Sequence, residues 1–113
     1  MEARAVTRYV RLSPHRGRLV ADAIRGKDVG EALRIVSLST TKGARLIRKT
    51  LESAIANAEN NYGVDVDRLF VLRAMVDMGP SLRRVKPRAM GRADIMRRPL
   101  SHITIVVGEK RGN

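Results

Sequence analysis

The chain has 113 residues and a formal net charge of +12, with 23 basic and 11 acidic side chains. This length fits one domain with a modest core, rather than two domains or a large catalytic cleft. The sequence has no Cys, which excludes disulfides and thiolate metal sites. It has one Phe, two Tyr and no Trp, too few aromatic rings for a platform on which single-stranded RNA bases could stack.

A first strand is predicted over residues 4–12, where β-branched residues are frequent. Its alternation puts three apolar side chains on one face: Val6, Val10 and Leu12. Ser13 then supplies an N-cap, and Pro14 a proline at the first helical position. The helix that follows is predicted to end at Gly26, with an apolar stripe formed by Leu19, Val20, Ala23 and Ile24.

Two further helices are predicted. Asp28 and Glu31 have the spacing of a capping box, with Asp in place of the usual Ser or Thr. The apolar residues behind this box are Ala32, Leu33, Ile35 and Val36. The longest helix is predicted from Thr41 to a stop at residues 61–63, because apolar residues recur there at spacings of three and four. They are Ala44, Ile47, Leu51, Ala54, Ile55, Ala58 and Tyr62.

Two apolar strands are predicted in the second half. In residues 68–78 one face is formed by Phe70, Leu72, Ala74 and Val76, and the other by Leu69, Val71, Arg73 and Met75. Both faces are mostly apolar, so we expect this strand to be buried centrally. The last strand, residues 102–107, groups Ile103, Ile105 and Val107. These elements predict an α+β fold with three helices packed on a three-stranded antiparallel sheet, in a single domain over residues 1–113.

The stretch between these two strands is the most basic part of the chain. Residues 81–98 hold one acid, Asp94, and seven cations: Arg83, Arg84, Lys86, Arg88, Arg92, Arg97 and Arg98. We predict a long protruding β-hairpin over about residues 77–101, which at about 3.3 Å per residue reaches roughly 40 Å. Such a self-repelling arm needs counter-charge from elsewhere, and nucleic acid is the polyanion that commonly supplies it.

A second basic segment lies at the start of the chain. Residues 1–27 hold seven bases and two acids, whereas residues 28–80 hold seven of each. Arg outnumbers Lys by eighteen to five, and the planar guanidinium is well suited to phosphate. We expect Arg4 and Arg25 only to be solvated. The candidate RNA contacts outside the arm are Arg8, Arg11, His15, Arg16, Arg18, Lys27, Ser101 and His102.

Other classes of function are weaker. The two histidines have no partner residues at metal-ligand spacing, and phosphate loops, zinc-protease motifs and nucleophile elbows are missing from the sequence, so we expect no metal, no cofactor and no enzyme activity. An architectural DNA-binding protein with basic β-arms is the main rival, and it would usually be an obligate dimer. A membrane-surface protein would gather its cations on one amphipathic helix. The sequence has no apolar run long enough to span a membrane, and its first residues are charged, unlike those of a signal peptide, so we expect an unexported, cytoplasmic protein.

Several motifs, in this order along nearly the whole chain, resemble the bacterial large-subunit ribosomal protein twenty-two family. They are Arg11-Leu12-Ser13-Pro14 leading to Arg18-Leu19-Val20, then Ile24-Arg25-Gly26-Lys27, Leu51-Glu52-Ser53-Ala54 running into Ala56-Asn57-Ala58, Val76-Asp77 before Gly79-Pro80, Pro87-Arg88-Ala89 before Gly91-Arg92-Ala93-Asp94, and Ser101-His102-Ile103-Thr104. The chain departs from the usual pattern at His15, Gly17, Met78, Pro99 and Leu100.

The resemblance implies a structural protein of the large ribosomal subunit that binds 23S ribosomal RNA and acts early in assembly. Its body would lie near the exit of the nascent-peptide tunnel, beside other large-subunit proteins. The hairpin tip would line the tunnel wall near the constriction, with nascent peptide as a further candidate partner. The tip residues would be Pro87, Arg88, Ala89, Met90, Gly91, Arg92 and Ala93. We expect the free protein to be a monomer.

Overall fold

The computed structural model describes residues 1–80, 82–87 and 93–109, the segments 82–87 and 93–98 through their backbone course and pairing. The helices are α1 (Pro14–Ile24), α2 (Val29–Leu38) and α3 (Lys42–Tyr62), and a 3₁₀ turn follows at Val66–Arg68. The strands are β1 (Glu2–Val10), β2 (Leu69–Met78), β3 (Leu82–Pro87), β4 (Ala93–Arg98) and β5 (Ser101–Glu109). The predicted α+β fold with three helices and a three-stranded antiparallel sheet is confirmed.

The sheet has the order β1-β5-β2, and both ladders are antiparallel. The central strand is therefore β5, and the expectation that the strand at residues 68–78 is central was wrong. On the helical side, α3 packs on β1 and β5, α1 packs on β2, and α2 packs against α3. The core between these two layers is aliphatic, and its largest fully buried side chains include Ile24, Ile47, Leu51, Ile103 and Ile105.

A bulge in β1 changes which residues face the helices. The pairing of β1 with β5 shifts between Thr7 and Val10, where Tyr9 adopts a left-handed φ of 58°. Before the bulge the residues facing the core are Ala3 and Ala5; after it Val10 packs against the core and Leu12 is buried. Val6 is only half-buried, so the predicted face was wrong for that residue. An added residue reverses the strict alternation on which the prediction depended.

A second bulge has the same effect in β2. Its register against β5 shifts between Val71 and Arg73, at Leu72. The buried residues are Leu69 and Val71 before the shift, and Ala74 and Val76 after it. Neither predicted face of this strand is therefore continuous, and the apolar character of both alternations comes from the bulge rather than from burial on both sides.

The helices begin and end close to the predicted residues, although α1 ends at Ile24 rather than Gly26, the Ser13 side chain makes no capping hydrogen bond, and one predicted apolar stripe was wrong. The Asp28 side chain accepts the Glu31 N–H at 2.9 Å, and Thr41 accepts the Ala44 N–H at 3.2 Å. Gly63 ends α3 with a left-handed φ of 64°. In α1, however, the buried face is Gly17, Ala21 and Ile24, while Leu19 and Ala23 are exposed. Tyr62, predicted on the stripe of α3, is also exposed.

One polar contact ties α3 to β1 inside the core. Thr50 is fully buried, and its hydroxyl donates to the Leu46 carbonyl at 3.1 Å. The same oxygen lies 2.7 Å from the Thr7 hydroxyl. A hydroxyl has only one hydrogen to donate, so Thr7 must be the donor in this second bond.

The basic stretch forms a separate two-stranded ribbon. Strands β3 and β4 pair antiparallel, from Leu82 opposite Arg98 to Pro87 opposite Ala93. Pro99 lies between β4 and β5, outside both ladders, so its missing N–H interrupts neither. The molecule measures 66 × 26 × 22 Å, with a radius of gyration of 17.2 Å, against about 13 Å for a compact chain of this size.

Candidate nucleic-acid interface

Two of the predicted cations meet in one groove. Arg11 and Arg16 line a cavity of about 570 Å³ between α1 and the start of α3, and Lys42 of α3 joins them there. Lys42 was missing from the predicted contacts, because its sequence position gives no sign that α3 begins beside residue 11. Among the described residues, the groove has no acidic side chain in its lining. Three positive charges therefore face solvent around one concave surface.

The same groove receives the amino-terminal ends of two helices. Ser13, the N-cap of α1, and Thr41, the N-cap of α3, both line it. A helix macrodipole places a partial positive charge at this end, and free backbone N–H groups point outwards there. The helix ends thus add to the field of the three side chains, and together they favour an anion.

The described ion pairs involve other cations. The four pairs are Arg25 with Asp22, Arg34 with Glu31, Arg48 with Glu52, and Arg73 with Glu2. Within the described part of the chain, no carboxylate is paired with Arg8, Arg11, Arg16 or Lys42. Carboxylates therefore offset charge on the helix surfaces and across the sheet, and leave the groove unneutralised.

Two other arginines cover the free edge of β2. Arg18 Nε donates to the Val76 carbonyl at 3.0 Å, and Arg25 Nη2 donates to the Ala74 carbonyl at 2.6 Å. The turn after α1 continues this cover, because Gly26 N–H donates to the Val71 carbonyl and Val71 N–H donates to the Lys27 carbonyl, both at 2.8 Å. An uncovered edge strand invites pairing with other chains, so these contacts are protective. The expectation that Arg25 is only solvated was wrong.

The predicted histidine contact lies where the ribbon leaves the body. His102 Nδ1 accepts the Tyr9 N–H at 3.1 Å, and the two rings stack edge to face with centroids 4.9 Å apart. In this geometry Nδ1 carries no proton, so the neutral ring keeps its hydrogen on Nε2. A Cβ at Gly79 would lie 3.1 Å from Nε2, so a larger residue at this position would crowd that donor.

Ser101 is placed in the interior instead. Its side chain is fully buried, and its hydroxyl donates to the Leu12 carbonyl, linking β5 to the segment before α1. A group in that position cannot reach an external partner, so the prediction of an RNA contact at Ser101 was wrong. By contrast, Arg8, His15 and Lys27 are exposed on the body.

The arm cations follow the ribbon. Arg83, Arg84 and Lys86 lie along β3, and Arg97 and Arg98 lie along β4. The pairing sets Arg83 opposite Arg97 and Lys86 opposite Asp94. Of the predicted tip, Pro87 and Ala93 are the last described positions. The predicted residues Arg88, Ala89, Met90, Gly91 and Arg92 lie outside the described residues.

Two other kinds of site are missing from the described part of the chain. No group of His, Asp or Glu side chains there could hold a metal ion. In the same residues, every helix is too short or too polar to cross a membrane.

Comparison with known proteins gives matches over almost the full length. A family model described as ribosomal protein L22p/L17e matches residues 5–108. The large ribosomal subunit protein uL22 of Fusobacterium nucleatum is 58% identical over 111 residues, which cover 98% of this chain and 100% of the relative. The protein of the same name from Thermus thermophilus is 54% identical over 112 residues, covering 99% of each chain. The similarity thus includes both the body and the basic ribbon.

Proposed function

Because the chain belongs to the ribosomal protein L22p/L17e family, whose members are structural ribosomal proteins and not enzymes, we propose that it is built into the large ribosomal subunit by binding 23S ribosomal RNA. It does so in the cytoplasm, as a protein that is monomeric when free and contacts neighbouring large-subunit proteins once assembled. The observation that carries this proposal is the separation of charge: within the described residues the groove cations have no carboxylate partner, while four cations elsewhere on the body, Arg25, Arg34, Arg48 and Arg73, do.

The body contributes the first part of the RNA interface. Arg11 and Arg16 lie in the groove, and Arg8, His15 and Lys27 are exposed around the body. Arg18 is an exposed residue, and its remaining guanidinium N–H groups can donate to phosphate while Nε holds β2; the Nε2–H of His102 is a further donor. Phosphate contacts of this kind set the orientation of a protein on folded RNA.

The ribbon contributes the second part. It carries like-charged residues at paired positions, Arg83 opposite Arg97, and like charges directly opposite in a ladder destabilise it. RNA phosphates would relieve that repulsion, so the arm should be more stable when it is surrounded by RNA than when it is surrounded by water. We assign RNA contacts to Arg83, Arg84, Lys86, Arg88, Arg92, Arg97 and Arg98. We assign residues 87–93 to the wall of the peptide tunnel, where nascent peptide would pass.

A salt titration tests the body interface. Binding of the purified protein to in vitro transcribed 23S RNA is measured across a series of KCl concentrations. The slope of log K against log salt is negative, and Arg16→Gln should reduce its magnitude by about 0.7–0.9, the contribution expected of one phosphate contact. Arg34→Gln, which removes a cation already paired with Glu31, is the matched control and should leave the slope unchanged.

The arm needs a separate test in assembled particles. Simultaneous reversal of Arg83, Arg84 and Arg88 to Glu should abolish incorporation into large subunits, whereas reversal of Arg34, Arg45 and Arg48 changes the net charge equally and should have a much smaller effect. Incorporation of both triple variants at the wild-type level would refute the proposal for the arm. The rival function, an architectural DNA-binding protein, is tested by two further measurements. Sedimentation reports the oligomeric state, and competition with duplex DNA reports the preferred nucleic acid; an obligate dimer that prefers DNA would overturn the assignment.

A further inference from the structure

The groove between α1 and α3 has an apolar floor that phosphate recognition does not require. Leu12, Leu19 and Val20 line it together with the three cations. Leu19 is 61% exposed, although it lies on the same helix as a well-buried face. The volume of the groove, about 570 Å³, falls in the range of about 300–1,000 Å³ that is usual for small-molecule sites.

We propose that this groove binds a single unstacked nucleotide of the ribosomal RNA, an inference that rests on the proposed function and specifies its ligand. The base lies on the floor formed by Leu19 and Val20. The flanking phosphates are held by Arg11, Arg16 and Lys42, and by the partial charge of the two helix ends. This division of the nucleotide matches the lining. The described lining residues combine aliphatic side chains, three cations and the N-cap residues of two helices, and none of them is acidic.

Double-helical RNA would contact the cations of the groove but not its apolar floor. A paired stretch presents phosphates and 2′-hydroxyls, while its bases are stacked inside. Such a ligand would satisfy the cations and leave the exposed Leu19 against water or against polar groups. An unstacked base removes apolar surface from water on both partners, and unpaired nucleotides in loops and bulges are the ones that proteins read individually.

The continuation of the groove favours RNA over an acidic peptide. A second, smaller cavity of about 310 Å³ shares Arg11, Arg16 and Lys42, and extends to Pro99 at the base of the ribbon. The same three cations therefore face both the apolar floor and the route towards the basic arm. A regularly charged backbone can follow this route for several phosphates, whereas a peptide would need an acid at each step.

The test compares two exposed leucines. Leu19→Ser removes an apolar side chain from the floor, and Leu38→Ser is the control, because Leu38 is 75% exposed at the end of α2 and does not line the groove. With transcribed 23S RNA as the probe, Leu19→Ser should bind about five- to tenfold more weakly than Leu38→Ser. Its salt slope should stay at the wild-type value, whereas Lys42→Gln should reduce that slope by about 0.7–0.9.

Chemical probing of the bound RNA locates the nucleotide. We expect one unpaired base to be protected by the wild type and by Leu38→Ser, and to become reactive with Leu19→Ser while the other protections remain. Equal affinity and equal footprints for the two leucine variants would overturn the inference and leave the proposed function intact. A photoreactive residue at position 19 that crosslinks in assembled subunits only to another protein would overturn it as well. Failure of the wild type to bind the RNA would instead refute the proposed function.

Discussion

Helix α1 packs closely against β2 at Gly17, and a substitution there has two opposing effects on stability. A Cβ at this position would lie 2.9 Å from Leu12 Cδ2 and 2.9 Å from Val76 Cγ1. Both neighbours are buried, so neither can move into solvent to make room. Gly17→Ala raises helix propensity by about 1 kcal/mol, but crowding a packed core typically costs about 1–3 kcal/mol.

The crowding term should therefore win. We expect Gly17→Ala to lower the free energy of unfolding by about 1 kcal/mol, which corresponds to a fall in Tm of about 4–8 °C in a domain of roughly this size. The assay is thermal and urea unfolding followed by circular dichroism at 222 nm, a wavelength that reports helix.

Gly43→Ala is the matched control for this measurement. Gly43 is also buried in a helix and also faces Leu12, but the nearest atom to its Cβ position is Leu12 Cδ1 at 3.4 Å, an ordinary contact. Here only the propensity term operates, so Gly43→Ala should raise stability by up to about 1 kcal/mol. If Gly17→Ala proves as stable as the wild type, the close helix–sheet contact does not exist as described.

Three further sets of substitutions test local features by unfolding measurements. Thr50→Val should lower the free energy of unfolding by about 1–3 kcal/mol, because it leaves the Thr7 hydroxyl without its acceptor. In a double-mutant cycle, adding Thr7→Val should recover part of this loss, and additive effects of the two substitutions would contradict the shared bond. Tyr9→Gly should be about 1 kcal/mol more stable than Tyr9→Ala, since both remove the ring and only Ala retains the left-handed strain, so equal stabilities would contradict that backbone conformation. Asp28→Ala should cost about 0.5–2 kcal/mol, whereas Ser13→Ala should cost less, because the Ser13 side chain makes no capping bond; a reversed order would refute the assignment.

Much of the helical framework could be predicted from sequence because its signals are local. The caps at Asp28 and Thr41 and the left-handed stop at Gly63 each depend on a few adjacent residues, and the structure has all three. The basic stretch was likewise recognisable from composition alone, since charge density does not depend on folding. The antiparallel pairing of the segments on either side of it also followed from the sequence, as the simplest connection of two strands.

Strand faces could not be predicted in the same way. The alternation rule holds only while each residue has one partner, and the shifts at Tyr9 and Leu72 break it within single strands. Nothing in either segment distinguishes a bulge residue from its neighbours; a Tyr at left-handed φ is in fact an unfavoured choice. The bulges are imposed by pairing with β5, a strand distant in sequence.

What the sequence determined by itself was therefore the class of elements, their ends and the sign and position of the charge, because these follow from neighbouring residues. The tertiary structure alone decided that β5 is central, that Arg18 and Arg25 close an edge, and that Lys42 joins Arg11 and Arg16 in one groove. Each of these depends on contacts between residues far apart in the chain. Such contacts are selected by how the layers pack as a whole, and no local pattern encodes that choice.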